Sequence, residues 1–417
     1  MKTILLSITS LVLTLVTQAQ TVVTDTVSIG TGYANQTWYS LQNGEQGTAP
    51  KNNWDLSFDV SGMGSSIYIN SVTGTQLWLY PNGDTSAWST MDTAGLTTWT
   101  PLYNSDTSWK YSAFDATMNT VDPFDVGWGV YSMITHSVIG DSLYIIKLSD
   151  NSYRKLWIQT LANGEYDFRF AHLDGTNDLS SNLVKANYTN KNFGYYSLQN
   201  NTAIDREPVD TLWDLLFTQY TAFIPQPYTV SGVLFNKGVT VAKADLIADV
   251  STYTDWTSWS FSPLINEIGY NWKSFNGTGY DIRDSVVYFI QSEQGDIWKL
   301  LFTGFGGSAN GNYIFTKEKL STTGIASSTT TPAINMSLYP NPSTNGNVNL
   351  LYSIDRPASK VNVEIYDMTG KIVRGEELNS GEGFYNHNIF TSGLNTGLYI
   401  VKLTVNGKTI QQKLIVQ

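Results

Sequence analysis

Tyr39-Ser40-Leu41-Gln42-Asn43 returns further along the chain as Tyr196-Ser197-Leu198-Gln199-Asn200, and it does not return alone. Asn53-Trp54-Asp55-Leu56-Ser57-Phe58 has its counterpart in Leu212-Trp213-Asp214-Leu215-Leu216-Phe217, and Ser108-Trp109-Lys110 in Asn271-Trp272-Lys273. Asp141-Ser142-Leu143-Tyr144-Ile145-Ile146 corresponds to Asp284-Ser285-Val286-Val287-Tyr288-Phe289, and Lys155-Leu156 to Lys299-Leu300. Asn163-Gly164-Glu165-Tyr166-Asp167-Phe168 corresponds to Asn310-Gly311-Asn312-Tyr313-Ile314-Phe315. Matches in one unbroken order mark a tandem duplication. The chain is expected to hold two copies of one unit, at 20–185 and 186–320, each the size of an ordinary domain.

The unit reads as β-rich. In the second copy Val286 to Gln291 is a strand, Ser292 to Gly295 a turn and Ile297 to Gly304 the returning partner, and the first copy ends in the same hairpin. Gly304 to Gly311 lies between two strands and reads as a hairpin loop. Gly and Asn punctuate both copies and no long helical period appears, so the predicted class is all-β. Between Trp-Asp-Leu and the final hairpin each copy is Gly-, Thr- and Ser-rich; this reads as long loops with short strands, where ligand sites usually sit.

The Trp213-Asp214-Leu215-Leu216-Phe217 strand, followed by Tyr288-Phe289-Ile290 and, past Gly295, Trp298-Lys299-Leu300-Leu301-Phe302, resembles the HmuY family. That resemblance implies an all-β surface or secreted protein that binds haem, with iron held between two loop side chains, His or Met. The second copy contains neither residue type, so the implied ligands fall in the first: His136, His172 and Met133, with Met63, Met91 and Met118 nearby in sequence. Read without the resemblance, these are a surface His, an edge His and Met residues filling gaps in a core.

The last stretch is a third unit, at 335–417. Val361, Val363 and Ile365 alternate with Asn362, Glu364 and Tyr366, the period of a half-buried strand. Met368-Thr369-Gly370-Lys371 turns the chain, and Asn406-Gly407 is a strong hairpin signal between Leu398–Val405 and Ile410–Val416. The opening Tyr339-Pro340-Asn341-Pro342 is held extended because each Pro biases the residue before it. These motifs, with Gly370 and Lys371, Gly397 and Tyr399 in Gly397-Leu398-Tyr399-Ile400-Val401-Lys402, and Lys413 in the final strand, resemble the type A C-terminal sorting domain of the type IX secretion system. The resemblance implies a small β-sandwich that carries its cargo across the outer membrane of Bacteroidetes-type bacteria, with the secretion machinery as partner, and is usually removed afterwards. Without it, the block is a plain immunoglobulin-like sandwich.

The other end agrees. Lys2, the apolar run Ile4 to Val16 and Thr17-Gln18-Ala19 form a signal peptide, 1–19, with cleavage expected after Ala19. No other apolar run reaches spanning length, so no membrane span is expected after cleavage. All thirteen Trp lie before the Ser/Thr-rich segment 321–334, which reads as a linker. The chain has no Cys, which excludes disulfides, thiol catalysis and an N-terminal lipid anchor. The formal charge is −11 with no basic cluster, which argues against nucleic acid and against anionic membranes.

Little else carries chemistry. No Gly-x-Ser-x-Gly, His-Glu-x-x-His or phosphate loop occurs. With three His, of which His387 lies in the tail, acid–base work has few candidates. Asp55 and Asp214 stand alike in both copies and are expected to fix a turn or pair with a Lys rather than to catalyse. Trp256, Trp259 and Tyr253 in the second copy, and Trp88 and Trp99 in the first, could stack on a flat ligand if exposed; core is the favoured placement. The expected protein is an exported, non-enzymatic binding protein. Haem is the ligand implied for the first copy, and a glycan, in an adhesin-like role, is the alternative.

Overall fold

A computed structural model describes residues 21–321, 334–343, 346–354, 358–381 and 383–417. The predicted signal peptide, and all but the ends of the predicted linker, lie outside the described residues. Each repeat contributes nine principal strands. In the first they are β1 (Val23–Ser28), β2 (Asn35–Ser40), β3 (Gly44–Pro50), β4 (Leu56–Asp59), β5 (Ile67–Ile69), β6 (Gln76–Leu79), β7 (Tyr144–Lys147), β8 (Tyr153–Ala162) and β9 (Glu165–His172). In the second they are β10 (Leu179–Val184), β11 (Phe193–Ser197), β12 (Thr202–Ile204), β13 (Leu215–Phe223), β14 (Pro227–Phe235), β15 (Thr240–Ala244), β16 (Val287–Gln291), β17 (Ile297–Phe305) and β18 (Asn312–Ser321). The predicted final hairpin of the second copy is β16–β17, displaced by one residue at two ends.

The strands pair in two equivalent sets. Sheets β10-β9-β8-β7-β6 and β12-β11-β4-β5 form one body, and sheets β1-β18-β17-β16-β15 and β14-β13-β2-β3 form the other. Every pairing among these strands is antiparallel. In each body the inner faces of the two sheets meet. Leu56, Phe58 and Ile67 pack with Tyr144, Leu156 and Phe168 in the first, and Leu215, Phe217 and Val233 with Tyr288, Leu300 and Phe315 in the second. Alternation along each strand supplies these faces.

The structure draws its boundaries elsewhere than 20–185 and 186–320. The first body is a continuous run, 56–204. The second is 215–321 completed by 23–50 from the chain's beginning. The repeat therefore starts with three strands that belong to the preceding body. β10, β11 and β12 finish the body before them, and β1, β2 and β3 close onto the last. The exchange covers two sheet edges that would otherwise be bare and leaves the outermost strand of each sheet as an edge. β1 takes the free edge of β18, and β2 lies beside β13 with Tyr39 opposite Leu215, as Tyr196 lies opposite Leu56.

Asp55 and Asp214 lock these exchanged hairpins. Asp55 Oδ2 accepts hydrogen bonds from Leu198 N at 2.7 Å and Gln199 N at 3.3 Å, while its own N donates to Tyr196 O. Asp214 Oδ2 accepts from Leu41 N at 2.7 Å, and its N donates to Tyr39 O. Each copy's Asp thus holds the Tyr-Ser-Leu-Gln-Asn turn of the other copy, which is the turn-fixing role expected of these acids.

A loop layer covers the outer face of each larger sheet. Trp88 and Met91, with Trp99, cover Trp78 and Ile145 in the first, and Tyr253, Trp256 and Trp259 pack over Val287 and Phe289 in the second. Lys155, buried, reaches through to Trp88 O at 3.0 Å, and Lys299 reaches Ser251 O at 2.7 Å.

The C-terminal body is a sandwich of β19 (Ile334–Tyr339), β20 (Asn347–Ile354) and β23 (Gly383–Phe390) against β21 (Val361–Tyr366), β22 (Ile372–Glu377), β24 (Gly397–Val405) and β25 (Lys408–Val416). Asn406 and Gly407 turn β24 into β25 with φ of 49° and 87°, the double left-handed turn that an Asn-Gly pair favours.

Candidate functional site

A cavity of about 110 Å³ lies at the junction of the two bodies, between the sheet containing β4, β5 and β11 and the sheet containing β2, β13 and β14. Equivalent residues of the two repeats face it: Trp54 and Trp213 precede the Asp of each copy, and Trp38 and Tyr195 occupy equivalent places in β2 and β11. Tyr68, Trp109 and Phe193 form one contiguous aromatic wall, with Phe193 5.2 Å from the Tyr68 ring and 5.6 Å from the Trp109 ring. Bonds between the bodies hold the junction shut around it. Trp109 Nε1 donates to Phe235 O at 2.8 Å, Ser71 and Thr221 hydroxyls meet at 2.8 Å, and Asn192 Nδ2 donates to Asn236 Oδ1 at 2.7 Å. Lys237 pairs with Asp59 at 3.0 Å.

The cavity lining carries polar atoms without a partner in the protein. Trp54 Nε1, Trp213 Nε1, Tyr220 OH and Asn70 Oδ1 are all buried and make no hydrogen bond within the described residues. Asn70 shows how local this is. Its amide nitrogen donates to Lys51 O and Trp54 O, as that of Asn236, its counterpart, donates to Asp210 O and Trp213 O. The Asn236 oxygen accepts from Asn192 and Lys237 N, whereas the Asn70 oxygen has no partner among the described residues. The duplication is broken where the cavity lies.

Two carboxylates, Asp106 and Glu207, line the cavity, and both are engaged: Asn266 Nδ2 donates to Asp106 Oδ2 at 3.4 Å. Glu207 accepts from Asn192 N at 3.1 Å and from Tyr195 OH at 2.9 Å, and burial pushes its carboxyl up to about 7. Beside it the Arg206 guanidinium stacks within 5.0 Å of the Tyr195 ring centroid, 5.5 Å of Trp38 and 5.8 Å of Trp54, and donates to Pro50 O at 2.7 Å. Neither Lys nor Arg lines the cavity itself.

The residues expected to hold haem iron are not brought together. His172 ends β9 opposite Arg154 at one end of β8, and its Nε2 lies 2.9 Å from Asn177 Nδ2. His136 is exposed in the turn of a short hairpin, Gly129–Ser132 with Ser137–Gly140, whose second strand pairs with β8 at Thr160 and Leu161. The register places the two His roughly 20 Å or more apart along one strand. Met133 sits in the same turn as His136, so the two cannot flank a macrocycle from opposite sides. Met91 is core, and Met63 is exposed. Haem does not fit these residues. Among the described residues no group of three or more His, Cys, Asp or Glu is placed to hold a metal ion. The Trp clusters weighed as stacking platforms pack on the sheets' outer faces instead. The cavity is not legible in the sequence because its walls come from both copies; the repeated Trp-Asp pair and Trp109 of the repeated Trp-Lys match are the local signals that touch it.

In the C-terminal body the motif residues are structural. Asn341 spans the last strand's edge, its Nδ2 donating to Lys413 O at 2.7 Å and its Oδ1 accepting from Ile415 N at 2.9 Å, so Tyr339-Pro340-Asn341-Pro342 is pinned to β25. Gly370 has φ 84° in a turn closed by Asp367, whose Oδ1 accepts from Thr369 N and Lys371 N. Gly397 starts β24 opposite Val416, and Tyr399 is buried with its OH donating to Asn395 O.

Residues 337–417 match the family model of the secretion system C-terminal sorting domain. The chain therefore ends in a type IX secretion sorting domain, and the protein is secreted or displayed on the outer cell surface through that machinery. No curated protein matches the chain. No helix among the described residues is long and apolar enough to cross a membrane.

Proposed function

We propose that the exported chain is a non-catalytic binding protein whose ligand, a small neutral polyhydroxy molecule such as a sugar, occupies the cavity between the two bodies. The observation that carries this reading is the set of unpartnered polar atoms on an aromatic wall. A buried polar atom without a partner costs about 1–3 kcal/mol. Four such atoms, Trp54 Nε1, Trp213 Nε1, Tyr220 OH and Asn70 Oδ1, belong to residues that line this one cavity. They comprise two donors, an acceptor and a hydroxyl that does both. Sugar hydroxyls serve donors and acceptors alike, and a sugar's C–H face lies against aromatic rings such as Trp109 and Phe193. The absence of Lys and Arg from the lining favours a neutral ligand over an anionic one.

The haem reading rested on the family resemblance. It lacks an observation of this kind, because His136 and His172 stand at opposite ends of β8 and Met133 shares His136's turn.

Titration of residues 21–325 with a panel of neutral sugars, followed by Trp fluorescence, tests the proposal. Tyr220→Phe removes no internal hydrogen bond, so its melting temperature should equal or exceed the wild type's while sugar binding weakens roughly five- to hundredfold. Equal sugar affinity in the two proteins would sink it. Haemin titration in parallel should leave the Soret band unshifted.

A further inference from the structure

A second, larger hollow of about 330 Å³ opens beside the inner cavity, and Asn104 and Ser105 line both. The shared wall is rigid. Asn104 Nδ2 donates to Ile69 O at 2.7 Å, and its Oδ1 accepts from Ile69 N at 3.1 Å and from Ala113 N at 3.2 Å, which makes this side chain an extra rung on β5. Like the inner cavity, the outer groove straddles the junction. Tyr103, Tyr111 and Asp115 come from the first body, and Phe223, at the tip of the β13–β14 hairpin, from the second. The Tyr103 and Phe223 rings meet edge to face at 5.8 Å.

The groove's surroundings are unusually apolar for a surface. Tyr111 and Phe223 are 45% and 44% exposed, and Ile224 and Tyr228 on the same hairpin tip are 46% and 66% exposed. Large rings left open to water along a groove, and next to a cavity with unpartnered polar atoms, form one continuous surface for a ligand longer than the inner cavity holds.

We propose, resting on the sugar reading above, that the ligand is a linear neutral oligosaccharide, with one unit in the inner cavity and the following units laid along the Tyr111–Phe223 groove. The Asn104–Ser105 wall is the threshold between the two subsites, and the outer rings add affinity with each further sugar.

The test is calorimetric titration with a series of neutral linear glycans from one unit to six, selected from a printed glycan array with the wild type. It is repeated with the Tyr111→Ala/Phe223→Ala double variant, whose melting temperature is measured alongside to confirm that it is folded. Wild type should bind the longer members roughly three- to tenfold more tightly than the one-unit member. The double variant should lose that gain and keep the one-unit affinity. Affinity independent of length overturns the extended groove and leaves the inner sugar site standing, as does a double variant that weakens every member equally. Wild type that binds no neutral glycan overturns both readings.

Discussion

At the scale of single residues, the duplicated side chains divide into those that keep one role in both copies and those whose environments have parted. Asp55 and Asp214 keep theirs, and burial lifts both carboxyls above the usual range while backbone N–H donors oppose it. Asn70 and Asn236 share their donor bonds and differ in their acceptor bonds, and of the two only Asn70 lines the cavity. Glu207 has no counterpart in the quoted repeats, and it makes a prediction about pH. Burial raises its folded-state value from 4.5 to about 7, so the folded protein holds a proton there that the unfolded chain releases. Its preference for the neutral form therefore benefits the fold below about 4.5 and is lost as pH rises through about 7. Gln at this position is neutral at every pH. The stability difference between Glu207→Gln and wild type should grow in the variant's favour across that interval, by up to about 3 kcal/mol, and level off above it. Urea unfolding at a series of pH values measures it; a constant difference would refute the assignment.

At the scale of elements, the exchanged strands make the two bodies unequal as folding units. Residues 56–204 contain all the strands of the first body, whereas the second lacks the partners of β13 and β18 until 23–50 return. An isolated fragment 54–206 should fold and melt cooperatively. A fragment 210–321 should expose two unpaired edges and associate, and adding 21–51 as a separate peptide should restore a cooperative melt. Circular dichroism with size-exclusion chromatography reads both outcomes. Independent folding of 210–321 would mean that the N-terminal strands are an accessory rather than a closure. The strands themselves were legible in the sequence: the alternation of Val361, Val363 and Ile365, the Asn406-Gly407 turn and the β16–β17 hairpin all stand where their patterns put them. Turn chemistry and period-two burial are local properties, written in a few adjacent residues.

At the scale of the whole molecule, the sorting domain and the inter-body cavity lie in separate bodies with separate cores. The sorting domain's core draws on residues from 334 onward, and the cavity is built from residues before 270. Deleting 337–417 should leave the cargo folded and able to bind, yet stranded in the periplasm. Cell fractionation with a Trp-fluorescence melt of the retained protein checks both halves, and normal export without the domain would contradict the sorting assignment.

The sequence by itself determined the β class, the duplication and the address. Each rests on patterns that neighbouring residues complete among themselves: alternation, turns, and the Tyr-Pro-Asn-Pro and Gly-Leu-Tyr-Ile-Val-Lys motifs. Only the tertiary structure decided which copy each hairpin completes, and with it where a ligand can sit. Two like copies present like edges, so the pattern of β2 fits β4 as well as it fits β13; β4 is taken by β11, and β2 pairs with β13. That pairing brings Trp38 and Trp213 of one body to face Trp54 and Tyr195 of the other across a shared cavity. Strand pairing within the first body likewise leaves His136 and His172 at opposite ends of one strand.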